Sequence, residues 1–136
     1  MQRYFLTLLI VICPACKGPV PGPAPGPSEG EDCSVARVGT YTLDARRVAE
    51  IRSQYVPAPP KSEATALAID VLTAEWVSSG TLGQLTPREA VRNYRGFMVG
   101  RMAQVPHSTI VAELTSARGE LGFERLSPPA SCLEQI

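Results

Sequence analysis

The chain has 136 residues and equal numbers of basic and acidic side chains, 13 of each, so its formal net charge is zero. This length accommodates one domain. A neutral chain with only 6% aromatic residues lacks the basic, aromatic-rich surface by which proteins bind nucleic acids, and we expect no nucleic-acid partner.

The amino-terminal segment, residues 1–15, has the pattern of an export signal. Arg3 supplies a positive charge, and the apolar run 4–12 follows it. This run is too short to span a bilayer as a helix, which takes about 20 apolar residues. Pro14 then breaks any helix, and Ala15 is a small residue of the kind found at cleavage sites. The sequence therefore predicts a signal peptide over residues 1–15.

The segment Cys13-Pro14-Ala15-Cys16 resembles the lipobox of bacterial lipoproteins. In that family the last Cys receives a diacylglyceryl group, and a dedicated peptidase cuts before it. The resemblance implies that Cys16 carries fatty-acyl chains such as palmitate and anchors the exported chain in the cell envelope. Lys17, rather than Asp, at the next position implies the outer membrane, facing the periplasm. Secretion after ordinary cleavage and retention of a short uncleaved anchor are the alternatives.

A Pro- and Gly-rich linker, residues 16–32, separates this Cys from the rest of the chain. Pro occupies every second position from Pro19 to Pro27, so neither a helix nor a sheet can form there. Polyproline-II extension, at about 3.1 Å per residue, would give this linker a reach of at most about 50 Å. We interpret it as a spacer. The alternative, a Pro-rich ligand for an aromatic groove, lacks flanking Arg.

Four cysteines occur in the chain, and two of them remain once the signal peptide and the lipid acceptor are set aside. These are Cys33 and Cys132, and paired thiols usually form a disulfide in the oxidising compartment that an exported chain reaches. Together with His107, the single histidine, they are too few for the four ligands of a structural zinc site. We predict a disulfide between Cys33 and Cys132, with two free thiols as the alternative.

Residues 33–136 are predicted to form a mainly α domain, a small bundle of about four helices after a short extended segment at 35–41. The first helix covers residues 43–55. Thr42 is its predicted N-cap, because a hydroxyl can accept an unpaired amide hydrogen of the first turn. The Pro-rich run 56–60 ends this helix.

The second helix is predicted to begin at Ser62, run to about Ser79 and end with Gly80 as a left-handed cap. Its stretch 66–77 is apolar on more than one face, which is typical of a helix at the centre of a domain. We expect Trp76 to lie in the core, with a ligand contact as the alternative.

The third helix has a capping box with Pro at its first position, Thr86-Pro87-Arg88-Glu89. An apolar stripe at helical spacing follows, either core or an adaptable Met-bearing surface. Its members are Ala90, Val91, Tyr94, Met98, Met102 and Val105. Pro106 ends this helix, and a fourth runs from about residue 109 to Leu121, with Ile110, Val111, Leu114, Ala117 and Leu121 on one side. Gly122 is expected to end it.

No combination of residues has the pattern of a catalytic site. His107 stands beside Pro106 at a helix start, where a turn residue is a simpler interpretation than a general base. Asp70 and Glu75 are five positions apart and do not share a helix face. With no phosphate-binding loop and no nucleophile–base pair, we expect no enzymatic activity, no cofactor and no metal.

The order of these elements resembles the N-terminal helical domain of SurA-like periplasmic chaperones and parvulin-type prolyl isomerases. The likeness covers residues 35–104. It comprises the Val-Ala-Arg-Val-Gly segment, the helix capped at Thr42, the apolar helix 66–77 and the Thr-Pro-Arg-Glu start at 86–89. It implies a chaperone-like module that binds unfolded or partner polypeptide, and without the isomerase domain it implies no isomerase activity. The second hypothesis is an accessory lipoprotein that docks one fixed partner in an envelope complex.

Replacing Cys16 by Ser is expected to abolish labelling by a fatty-acid analogue and to release the protein from the membrane fraction, because the thiol carries the anchor. Cys13→Ser, which leaves Cys16 in place, is the matched control and should keep the label. Unchanged labelling of Cys16→Ser would show that the assignment is wrong.

Overall fold

The computed structural model describes residues 32–136. The predicted signal peptide, Cys16 and the linker up to residue 31 lie outside the described residues. The elements are, in chain order, β1 (Ser34–Val38), β2 (Tyr41–Asp44), α1 (Ala45–Arg52), α2 (Lys61–Ser79), α3 (Pro87–Met102), α4 (His107–Leu121), β3 (Phe123–Arg125) and α5 (Ala130–Leu133). The predicted mainly helical fold is confirmed, and a small sheet accompanies it. No helix in the described range is long and apolar enough to cross a bilayer.

The sheet has three antiparallel strands in the order β2-β1-β3. Strands β1 and β2 form a hairpin that turns at Gly39, whose φ of 59° favours glycine. The extended segment predicted from sequence thus forms β1 and the start of β2. Strand β3 returns from the far end of the chain and pairs with β1, with Arg37 opposite Glu124.

The predicted cap of the first helix is wrong. Thr42 pairs with Arg37 inside the hairpin, because the strand pairing keeps the chain extended for two further residues. Asp44 is the N-cap, and its side chain accepts a hydrogen bond from the amide of Arg47 at 2.7 Å. The helix therefore begins at Ala45, and it ends at Arg52 rather than near residue 55.

The predicted start of the second helix is also displaced. Pro60 is the N-cap and makes no side-chain capping bond. Its φ of −55° already suits helix entry, so α2 begins at Lys61 and Ser62 lies inside the first turn. At the other end, Gly80 has the predicted left-handed conformation, with φ 73°, and its amide donates to the carbonyl of Trp76 at 2.8 Å.

The capping box that opens α3 is confirmed. The Thr86 hydroxyl accepts from the Glu89 amide at 3.2 Å, and the Glu89 carboxylate accepts from the Thr86 amide at 3.0 Å. Pro87 occupies the first turn. Both bonds satisfy amides that the helix itself leaves unpaired.

Helix α2 lies at the centre of the domain and packs against β1, α1, α3 and α4. Five consecutive residues, 71–75, are buried, and consecutive residues point in all directions around a helix. The prediction of a central helix is therefore confirmed. The small buried residues Ala64, Ala68 and Ala74 allow neighbouring elements to approach closely.

The apolar stripe of α3 is only partly core. Ala90 and Val91 are buried, Tyr94 and Met98 are half-buried, and Met102 is 56% exposed. The carboxyl-terminal half of α3 contacts α4 through Phe97 and Met98, while more than half of the Met102 surface is exposed. Trp76, which was expected in the core, is half-buried instead.

A disulfide joins the two ends of the domain. The Sγ atoms of Cys33 and Cys132 are 2.03 Å apart and their Cα atoms are 5.3 Å apart. Cys132 lies on α5 and is fully buried in the main core cluster, to which Ile136 also belongs. The short last helix is thereby fastened to the start of β1.

Removing this bond in Cys33→Ala/Cys132→Ala should lower the melting temperature by more than about 10 °C, because the disulfide closes a loop with a sequence separation of 99 residues. The loop-entropy model gives an upper value of about 4.7 kcal/mol for such a loop. Thermal melts monitored by circular dichroism measure the change. Dithiothreitol should lower the wild-type value to that of the variant and leave the variant unchanged; equal melting temperatures in all cases would contradict the prediction.

Candidate functional site

The residues singled out from the sequence do not converge on one place in the structure. Cys16 lies outside the described residues, and Cys33 and Cys132 are bonded to each other. His107 is exposed at the first position of α4. Asp70 faces α4, where it pairs with an Arg, whereas the carboxylate of Glu75 faces the connection between α2 and α3.

Glu75 is the only buried acidic residue among residues 32–136, with 1% of its surface exposed. Its Oε2 atom accepts from the Thr81 hydroxyl at 3.0 Å and from the Gln84 amide at 3.2 Å. Tyr41 packs over the same connection, and its ring fills the space where a Cβ on Gly83 would lie. The carboxylate therefore fastens the loop between α2 and α3 to the end of α2.

A cleft of about 660 Å³ opens between α2, α4 and β3. Apolar side chains line its floor, and charged and aromatic side chains surround them. Its walls are formed by Ala66, Ile69 and Asp70 from α2, by Val111, Leu114, Thr115, Arg118 and Gly119 from α4, and by Phe123 and Arg125 from β3. Ile69 and Leu114 are buried, whereas Val111 and Phe123 are 47% and 41% exposed. Val111, expected on the packed side of its helix, thus points into the cleft.

An ion pair links the two helical walls of the cleft. Arg118 Nη1 donates to Asp70 Oδ1 at 2.6 Å, and Arg118 Nη2 donates to the Thr115 hydroxyl at 3.2 Å. The guanidinium also lies 5.9 Å from the centre of the Phe123 ring. Burial raises the pKa of Asp70, and the attraction of Arg118 and its hydrogen bond offset this only in part. The cleft therefore holds one charged pair in a partly desolvated position.

Strand β3 presents an open edge beside this cleft. The amide of Gly39 donates to Gly122, and the amide of Leu126 donates to Val35, which places positions 122 and 126 toward β1. Antiparallel pairing alternates, so the backbone groups of Phe123 and Arg125 point away from β1. No other strand among residues 32–136 pairs with this edge.

A second, shallower cleft of about 560 Å³ lies on the other side of α4. Trp76 and Val77 form one wall, and the small residues Ala112 and Ala117 line the opposite one. Val77 is 44% exposed. Among residues 32–136, no strand edge borders this cleft and no ion pair crosses it, so it offers fewer directional contacts than the first.

The first cleft offers apolar contacts, one ion pair and the backbone groups of an open strand edge. Within the part of the chain that the structure describes, no group of three or more His, Cys, Asp and Glu side chains could hold a metal ion. Sequence reasoning missed the cleft because it missed β3. Its only local signal is the three-residue alternation Phe123-Glu124-Arg125 after a glycine, which is shorter than a recognisable strand pattern.

Comparison of the chain with family models, with curated proteins and with solved structures found no match. The resemblance to SurA-like chaperones and the lipobox assignment therefore stay predictions from the sequence.

The raised pKa of Asp70 predicts a measurable dependence of stability on pH. The folded state binds this proton more tightly than the unfolded chain, whose carboxyl titrates near 3.8, so ionisation above that pH weakens the fold. The free energy of unfolding of Asp70→Asn, which cannot ionise, should therefore rise relative to wild type between pH 3 and pH 6. Urea denaturation at the two pH values measures this difference.

Arg118→Gln provides the matched control, since it removes the attraction that lowers the pKa of Asp70. This variant should lose more stability than wild type over the same pH interval. If the free energy of unfolding of wild type instead rises relative to that of Asp70→Asn as the pH increases, then the attraction of Arg118 outweighs the effect of burial on Asp70.

Proposed function

We propose that residues 33–136 are the polypeptide-binding module of an envelope lipoprotein, and that the cleft between α2, α4 and β3 receives an extended segment of a client or partner. The observation that carries the proposal is the open edge of β3 beside an apolar-floored cleft. An exposed edge strand accepts an added strand through backbone hydrogen bonds.

The geometry supports recognition of the main chain. A segment paired along β3 would bond to the outward backbone groups of Phe123 and Arg125. Its alternate side chains would then point toward the cleft, where Val111 offers apolar contact. Backbone pairing does not depend on sequence, which suits a module that binds unfolded chains of varied composition.

The second candidate, docking of one fixed partner, is favoured by the Asp70–Arg118 pair. A charged pair in a partly desolvated wall discriminates between ligands, because an apolar side chain placed against it would leave it poorly solvated. A panel of unrelated unfolded peptides separates the two candidates. The chaperone-like module binds many of them with similar affinity, and the fixed-partner module binds very few.

In either case the anchor and linker have a simple role. A lipid on Cys16 would hold the domain at the membrane, and a linker reaching at most about 50 Å would let the cleft sample the space in front of it.

Peptide binding is tested on the mature chain, residues 16–136 with Cys16→Ser, by fluorescence anisotropy of labelled unfolded peptides. Val111→Ser/Phe123→Ser should weaken binding about tenfold or more, since it removes the exposed apolar contacts of the cleft. Val56→Ser/Leu133→Ser is the matched control, because these residues are 94% and 47% exposed elsewhere, and it should bind as wild type does. No prolyl isomerase activity is expected.

N-methylation of alternate peptide amides should abolish binding if the segment pairs with β3, because it removes the donors. Absence of binding to every peptide at tens of micromolar would count against the chaperone-like module. Equal weakening by both double variants would place the binding surface outside the cleft.

A further inference from the structure

One side of α3 carries five exposed residues: Arg88, Arg92, Arg95, Val99 and Met102. We call them the α3 stripe. Their spacing of four, three, four and three places them in one row along the helix. The row is about 21 Å long at the helical rise. Val99 is 70% and Met102 56% exposed, so the row is basic in its first half and apolar in its second.

The three arginines of the stripe lack acidic partners. None of them forms an ion pair with a carboxylate among residues 32–136. Arg95 instead lies over the Tyr55 ring, 4.8 Å from its centre. The carboxylate of Glu89, the acidic residue nearest in sequence, is engaged by the Thr86 amide in the capping box.

The unpaired arginines destabilise α3, the helix that carries them. Arg88 lies in the first turn of α3, where the helix dipole is positive and favours anions. Arg88 and Arg92 are like charges four residues apart, which repel each other. A bound anion would relieve both effects.

The arginines also share a concave surface. A shallow cleft of about 320 Å³ is lined by all three, together with Gln54 and Val91. Guanidinium groups present forked pairs of donors that match the oxygens of a phosphate group, and the Gln54 amide can add another donor. The cleft therefore has the chemistry to receive a phosphate group.

The apolar half of the stripe narrows the choice of ligand. A free phosphate would leave Val99 and Met102 in water. A second copy of the chain, related by a two-fold axis, would place the arginines of one stripe against the arginines or the apolar side chains of the other, and neither neutralises them. A bilayer with anionic phospholipids satisfies both halves, because phosphates meet the guanidinium groups and the apolar side chains enter the boundary between headgroups and acyl chains.

We propose that the α3 stripe docks the domain on an anionic phospholipid membrane. This rests on the proposed function in one respect, since the anchor at Cys16 would hold the stripe within reach of that membrane. A lipid anchor at Cys16 would raise the concentration of the stripe at the membrane surface, so a weak contact of the stripe with lipid would be occupied. The stripe shares no residue with the cleft between α2, α4 and β3, so docking leaves that cleft free for polypeptide.

The test uses the mature chain with Cys16→Ser, so that binding owes nothing to a lipid anchor. Co-sedimentation is measured with vesicles of phosphatidylcholine alone and of phosphatidylcholine with 30% phosphatidylglycerol. We expect binding to the anionic vesicles only. Arg88→Gln/Arg92→Gln should weaken it about thirtyfold and leave the melting temperature equal or slightly higher.

The matched control is Arg37→Gln/Arg46→Gln, which removes the same charge from two exposed arginines that pair with Glu124 and Glu50. This variant should bind the vesicles nearly as well as wild type does. Val99→Ser/Met102→Ser should weaken binding at high salt as well as at low salt, because the contribution of the two apolar side chains is not electrostatic and salt does not screen it.

Equal losses in the two arginine double variants would overturn the proposal and show non-specific attraction. Binding inhibited completely by inorganic phosphate, with no response to Val99→Ser/Met102→Ser, would overturn it in favour of a soluble anion. Peptide binding by Arg88→Gln/Arg92→Gln should match wild type, so this docking and the proposed polypeptide cleft can fail separately.

Discussion

The burial of the middle of α2 is the constraint on which the rest of the domain depends. A helix with five consecutive buried residues, 71–75, needs neighbours around its whole circumference, and β1, α1, α3 and α4 provide them. Ala64, Ala68 and Ala74 are buried, and their small side chains let the neighbouring elements approach closely. The close approach increases the van der Waals contact between α2 and each neighbour. The position of every other long element follows from its contact with this helix.

Two local attachments hold the chain in place around this packed core. Glu75 binds the loop after α2 through Thr81 and Gln84, so α3 begins in a set position. The bond between Cys33 and Cys132 fastens the last short helix to the first strand. A small domain has few spare contacts at its ends, which makes these two attachments important.

The same packing leaves two surfaces with different chemistry. On one, α4 and β3 diverge from α2 and form a cleft with an apolar floor, an ion pair and an open strand edge. On the other, α3 turns three arginines and two apolar side chains to solvent. In the two proposals, the first surface binds polypeptide and the second contacts lipid.

The sequence by itself determined the features whose physical cause is local. The helical class, the Thr86 capping box, the Gly80 cap and the central place of α2 follow from signals within a few residues, and the Cys33–Cys132 pairing follows from elimination among four cysteines. Thr42 is not the N-cap that the sequence predicted, because its pairing with Arg37 in the hairpin keeps the chain extended past this position. Only the tertiary structure revealed β3 and the cleft, because Glu124 pairs with Arg37 across 87 positions of sequence, and no local pattern encodes a contact at that distance.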